Sequence, residues 1–341
     1  MTKPALLQAS LLSLAAVLAF NGPAAAEPAK TLRILTAGGE WTDAVTKCVD
    51  GPFEKKYGIK VELDTPAGYA KLAGLAQSGN VNVALMDLET SELERANANG
   101  LLDNIDWDKV KPFEMFPDAK KPYGFASTYF STIMAWRPDA KAPSNWVEFF
   151  DTKNFPGKRA LPDYPGYVLA FAAIADGVDP TKVFPLDLDR AFKTLERVKG
   201  DVIWWTAGGQ SAQLLQDNEA QYSIGWSGRI VTKTDLKHSF NQGMLDTSWW
   251  GMPKGADPAM QEAALLYLHE YSDPKQQACI AQYISYTGPS PELDPLLPQD
   301  KLDQFPNFKK NRDVQYVTDG KWWYDNAAEV EKRWQEFKLA Q

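Results

Sequence analysis

Tyr123-Gly124-Phe125-Ala126-Ser127-Thr128-Tyr129-Phe130-Ser131-Thr132-Ile133-Met134-Ala135-Trp136-Arg137 is an apolar, β-prone run that continues until Pro138 stops it. An ordinary strand holds about five or six residues, so this length suits a segment that crosses from one folded lobe to another. Leu245 to Met252, followed by Pro253-Lys254-Gly255, reads as a second crossing. Before the first crossing the chain alternates strand and helix: strands at 31–35, 59–63 and 81–86, and helices at 42–56, 72–77 and 89–99. After it the rhythm restarts, with strands at 159–161, 202–205 and 222–226 and helices near 146–150, 168–176, 187–198 and 210–217. Asp257-Pro258 and Asp273-Pro274 open two further helices, 257–271 and 273–285, with proline at the first helical position. A last helix is predicted over 325–338. This alternation predicts α/β architecture with largely parallel strands. Two crossings divide it into two lobes with a cleft between them, and ligand sites in such folds lie at the carboxyl ends of strands.

The ends and the composition restrict what the chain does. Lys3, the apolar stretch Leu6 to Phe20 and Ala24-Ala25-Ala26 before Glu27 read as a signal peptide over residues 1–26. The apolar stretch is too short and too interrupted for a membrane span, and no cysteine marks a lipid-attachment site, so export as an unlipidated protein is expected. With 36 Lys and Arg against 44 Asp and Glu, the formal net charge is −8. That charge disfavours nucleic acid as a partner and tolerates a cationic small ligand. Cys48 and Cys279 are the chain's two cysteines. They form either a disulfide, as an isolated pair in an oxidising compartment commonly does, or two buried free thiols. A bridge would require the chain to return near its end to the lobe in which it began. With His238 and His269 these cysteines never reach metal-ligand spacing, so neither metal nor cofactor is expected.

The chain carries 12 tryptophans, and several fall where strands end rather than in periodic apolar runs. Trp41 follows the first strand, Trp204-Trp205 and Trp226 end others, and Trp249-Trp250 lie on the second crossing. An indole offers a flat π face to a cation and an N–H donor, so Trp41 and Trp226 are candidate cleft walls, with Trp205 and Trp249 as additions. The alternative for any one of them is plain burial, which also accounts for Trp107, Trp136, Trp146, Trp322, Trp323 and Trp334. No nucleophile elbow, zincin motif or phosphate-cradling loop occurs, since Gly38-Gly39 and Gly208-Gly209 are too short. No catalytic residue is therefore expected.

As a set, these segments resemble the periplasmic substrate-binding proteins of ABC importers, in the polyamine-binding (spermidine/putrescine) branch of the family 1 extracellular solute-binding proteins. The resemblance rests on Glu40-Trp41-Thr42-Asp43, Phe53 to Val61, Ser144-Asn145-Trp146 with Phe155-Pro156-Gly157-Lys158-Arg159, Ile224-Gly225-Trp226-Ser227-Gly228-Arg229, the Trp249–Pro253 crossing, and Trp322-Trp323 with Arg333-Trp334. It covers essentially the whole chain after the signal peptide. It implies a two-lobed periplasmic binding protein fold of type II, with one lobe from 27–134 plus 249–300 and the other from 135–248 plus 301–341. It also implies a monomer that closes on a small amine-bearing ligand and presents it to a membrane permease.

Carried over residue by residue, Trp41 and Trp226 match the family's aromatic walls, and Tyr286 its hinge tyrosine. Asp163 stands where an acidic ligand group is expected, although it could instead cap a helix. Asp246 lies near the family's strongest carboxylate, or is a turn residue, and Glu89 and Ser91 fall near the family's third binding loop. The departures are Ala44 in place of a tyrosine, Tyr167 in place of a second acid, and Arg229 directly after the Trp226 motif. Arg229 either forms an ion pair within its lobe or pairs with a ligand carboxylate. In the second case the ligand is an ω-amino acid such as 4-aminobutyrate rather than a polyamine. A secreted sugar-binding protein or carbohydrate-active enzyme is the alternative that also uses tryptophans.

Overall fold

The computed structural model describes residues 27–233 and 235–340. The expected signal peptide lies outside the described residues. Among the described residues no helix is long and apolar enough to cross a membrane.

Eight strands carry the main sheet: β1 (Thr31–Leu35), β2 (Lys60–Asp64), β3 (Leu85–Glu89), β4 (Gly124–Trp136), β5 (Arg159–Pro162), β6 (Val202–Trp205), β7 (Tyr222–Trp226) and β8 (Lys237–Pro253). Their spatial order is β2-β1-β3-β8-β4-β7-β5-β6. The outer neighbours β1–β2, β1–β3, β5–β6 and β5–β7 are parallel, while β8 and β4 run antiparallel through the middle.

The predicted crossings fall in these two long strands, paired from Lys237↔Trp136 to Trp250↔Phe125, and the second begins at Lys237, earlier than the expected Leu245. They link two apolar cores. Phe125, Ala126 and Tyr129 of β4 join Leu32, Ile34, Phe53, Met86 and Tyr267 in the first, while Met134 joins Trp146, Phe171, Tyr222, Trp334 and Phe337 in the second. On β8 the change falls between Met244 and Leu245. A mixed α/β fold with a curled sheet results.

Local chemistry explains most boundaries. Asp257 and Asp273 accept backbone N–H bonds at the starts of the helices Pro258–Tyr271 and Pro274–Ile280, so each Asp-Pro pair acts as a cap followed by a pre-set first turn. The second helix stops at Ile280 rather than 285, because the following chain must return to the sheet, where the Tyr129 N–H donates to the Thr287 carbonyl. The expected strand 81–86 is displaced to Leu85–Glu89. Only Leu85 and Met86 pair with β1, and the strand continues along β8 as far as Glu89↔Ser248. The expected helix 42–56 is two helices, Gly39–Val45 and Gly51–Tyr57, separated by a wider turn at Thr46–Asp50. Cys48, in that turn, is bonded to Cys279.

Candidate functional site

Between the two cores lies a cavity of about 310 Å³. The first core contributes the turn after β1, where Gly38 (φ 82) and Gly39 (φ 70) adopt backbone angles open to glycine. That sharp turn delivers Glu40 and Trp41 to the cavity, and the end of β3 delivers Asp87 and Glu89. Thr128 and Phe130 come from β4, Ser248 from β8, and Tyr286 from the returning chain. The second core contributes Trp226 from the end of β7, Arg229 from the helix Ser227–Ile230 and Tyr167 from the turn Pro165–Tyr167.

The aromatic walls are held from behind. Trp41 packs against Trp250 with ring centroids 5.4 Å apart, and Phe130 against Tyr286 at 6.1 Å. Trp226 meets Trp205 edge-on at 5.4 Å and Tyr167 at 5.5 Å. A Cβ on Gly208 would stand 2.5 Å from the Trp226 ring, and one on Gly228 2.5 Å from the Tyr286 ring. Each ring thus rests on a position that admits no side chain. The Nε1 atoms of Trp41 and Trp226 are buried without a partner among the described residues.

Charge in the cavity is divided between its walls. Arg229 is exposed to the cavity and forms no ion pair among the described residues. Asp87 is buried, and its Oδ1 atom has no hydrogen-bond partner among the described residues. Burial pushes the Asp87 carboxyl up to about 7, with Glu92 adding to the shift and a hydrogen bond from the Ala37 backbone opposing it. Glu89 keeps access to solvent yet is ringed by protein. Desolvation, then the charges of Asp246, Asp87 and Glu92, push it up to about 8, against the Tyr167 hydroxyl that donates to its Oε2 at 3.2 Å. The site therefore offers an unpaired guanidinium on one wall, under-compensated carboxylates on the other, and five aromatic rings between them.

The expected residues separate into three groups. Trp41, Glu89, Trp226, Arg229 and Tyr286 line this cavity. Ser91 and Asp246 line a neighbouring one, which Glu89 also borders. Asp163, Trp205 and Trp249 line neither. Asp163 turns outward where β5 ends: its carboxylate accepts from Trp334 Nε1 at 3.3 Å and pairs with Lys338 at 3.2 Å, so it anchors the final helix. Trp205 is buried behind Trp226 and donates to the Ile224 carbonyl. Trp204, its strand neighbour, packs on Trp334, so neither faces the cleft. Alternation along β8 turns Ser248 into the cavity and Trp249 away from it, where the Trp249 indole donates to Thr90 Oγ1 at 2.9 Å.

Asp87 is the principal residue that sequence reading missed. Its signal was a carboxylate inside Leu85-Met86-Asp87-Leu88, since a buried charge in an apolar strand is costly unless something pairs with it. Phe130, Thr128 and Ser248 were hidden inside the crossings. Among the described residues no group of three or more His, Cys, Asp or Glu side chains is arranged to hold a metal ion.

Comparison with known proteins gives a consistent picture. The sequence profile described as bacterial extracellular solute-binding protein matches residues 50–310. A gamma-aminobutyric acid-binding protein of Pseudomonas aeruginosa is 28% identical over 330 residues, covering 93% of each chain. Among solved structures, an ABC transporter substrate-binding protein from Bradyrhizobium japonicum shares 32% identity with a TM-score of 0.83, over 90% of this chain and 99% of that one. The Atu4243 GABA receptor shares 30% identity with a TM-score of 0.82, over 90% of this chain and 97% of that one.

Proposed function

The chain belongs to the bacterial extracellular solute-binding protein family, and from that premise we propose that it is the periplasmic capture component of an ABC importer for an ω-amino acid such as 4-aminobutyrate. The observation that carries this reading is the unpaired Arg229 on one wall of a small aromatic cavity, with the buried, unpaired Asp87 on the other. The ligand carboxylate takes the guanidinium as a bidentate pair, its ammonium takes Asp87 and Glu89, and its methylenes lie between the rings of Trp41, Trp226 and Phe130. Two relatives named for gamma-aminobutyric acid support the same chemistry.

A polyamine in this cavity would set a cation beside Arg229. A neutral sugar would leave both Arg229 and Asp87 without a counter-charge. The lining therefore favours a zwitterion over either alternative. Closure proceeds by bending of β4 and β8 about the point where they pass between cores, and the closed form is what the permease receives.

The size of the ligand bounds its affinity. About seven non-hydrogen atoms, at a ceiling of about −1.5 kcal/mol each, allow a Kd no tighter than roughly 20 nM. Thermal unfolding in the presence of 4-aminobutyrate, putrescine, proline betaine and maltose tests the proposal, because a ligand that binds only the folded state raises Tm. The expected result is a rise of several degrees with millimolar 4-aminobutyrate and none with maltose. Stabilisation by maltose alone would overturn it.

A further inference from the structure

Tyr167 and Glu89, joined by their hydrogen bond, line two cavities at once and so form a partition between them. The second cavity, also about 310 Å³, is closed by the chain's last helices, Gly320–Asp325 and Ala327–Leu339. Its lining carries the carboxylates of Glu89, Glu92, Asp246 and Glu331 against a single guanidinium, that of Arg95, which is stacked 3.9 Å over the Tyr69 ring. Trp323, Tyr324 and Tyr167 supply aromatic surface.

Asp246 is the deepest of these acids, at 6% exposure. Its Oδ1 accepts from Thr90 Oγ1 at 2.6 Å and from the Thr247 N–H at 2.7 Å, while its Oδ2 accepts nothing among the described residues and opens onto the cavity. Glu92 is occupied by capping its helix and by the Tyr69 N–H. The acids left to meet a cation in this cavity are therefore Asp246, Glu89 and Glu331.

We propose that this second cavity is a separate chamber for a primary alkylammonium group, held by Asp246 and Glu331 between the Trp323 and Tyr324 rings and filled independently of the Arg229 cavity. A desolvated ammonium needs carboxylate partners and gains from aromatic faces, and both are present. Burial also pushes the Asp246 carboxyl up to about 6, a shift that a bound cation would reverse. The chamber would admit an aliphatic diamine while an ω-amino acid occupies the Arg229 cavity.

The inference rests on the proposed function only for where 4-aminobutyrate sits. Isothermal titration of 1,4-diaminobutane into the full-length protein saturated with 4-aminobutyrate tests it. The expected result is one diamine per protein, with affinity at least tenfold weaker in Glu331→Gln and in Asp246→Asn and 4-aminobutyrate affinity unchanged within about threefold in Glu331→Gln. Glu331 is exposed on the final helix, so its variant keeps the test valid if Asp246→Asn fails to fold. Displacement of 4-aminobutyrate by the diamine, no diamine binding, or binding indifferent to Glu331→Gln would overturn the inference. If 4-aminobutyrate itself does not bind, the comparison of wild type with Glu331→Gln still decides, because Glu331 borders the second cavity and not the first.

Discussion

Asp87 and Arg229 face the same cavity from opposite walls, and neither is ion-paired among the described residues. Asp87 is costly alone, because it is buried with a free oxygen, whereas Arg229 is exposed and has no carboxylate of the protein paired with it among the described residues. The cost of Asp87 depends on pH. Its pKa rises from 3.8 to about 7 on folding, so the folded protein holds a proton that the unfolded chain releases. Its contribution to stability is complete below about 4 and is lost as pH rises through about 7. Asp87→Asn should therefore stabilise the ligand-free protein by roughly 1–3 kcal/mol at pH 8, and by less at pH 5, in chemical denaturation. The same variant should weaken 4-aminobutyrate by at least 30-fold. A variant that is destabilised at pH 8, or that binds normally, would remove Asp87 from the account. Trp41 and Trp226 were legible because one follows and the other ends a strand in a sheet that opens into a cleft, and Arg229 because it follows the Trp226 motif. Asp163 and Trp205 stand at such ends too, yet one turns out to Lys338 and the other packs under Trp226. Which way a residue turns after a strand depends on neighbours distant in sequence, and that choice leaves no local trace.

Among the elements, β4 could be read directly from its long run of β-prone residues, whereas β8 was read only over Leu245 to Met252, because its first half, Lys237 to Met244, is polar and carries no strand pattern of its own. Helices opened by Asp-Pro were equally plain. The placement of β3 was not, since Val81 to Met86 is as apolar as the strand itself and only the pairing with β8 selects Leu85–Glu89. That shift of register concealed Asp87. The bond between Cys48 and Cys279 ties the wider turn at Thr46–Asp50 to the helix Pro274–Ile280, across a separation of 231 residues. Replacing both cysteines by serine should cost about 2–5 kcal/mol of stability, measured by urea unfolding. Because neither cysteine lines the cavity, 4-aminobutyrate affinity should stay within about threefold. A large loss of affinity would show that the bridge shapes the cleft itself.

For the whole molecule, the architecture separates storage of charge from its use. The two main apolar cores are joined by the strands β4 and β8, by the returning segment near Tyr286 and by side-chain contacts such as the Tyr167 hydroxyl on Glu89. In this cavity the carboxylates of Asp87 and Glu89 come from the first core and Arg229 from the second, and on the proposed function a ligand bearing both charges would engage both walls. The proposed function depends on Arg229 taking the ligand carboxylate. Isothermal titration of 4-aminobutyrate into wild type and Arg229→Gln tests this, since Arg229 is exposed and its side chain makes no hydrogen bond or ion pair among the described residues. Removing one partner of a desolvated charge pair costs about 2–5 kcal/mol, so the expected affinity of the variant is at least 30-fold weaker. Equal affinity in the two proteins would contradict it.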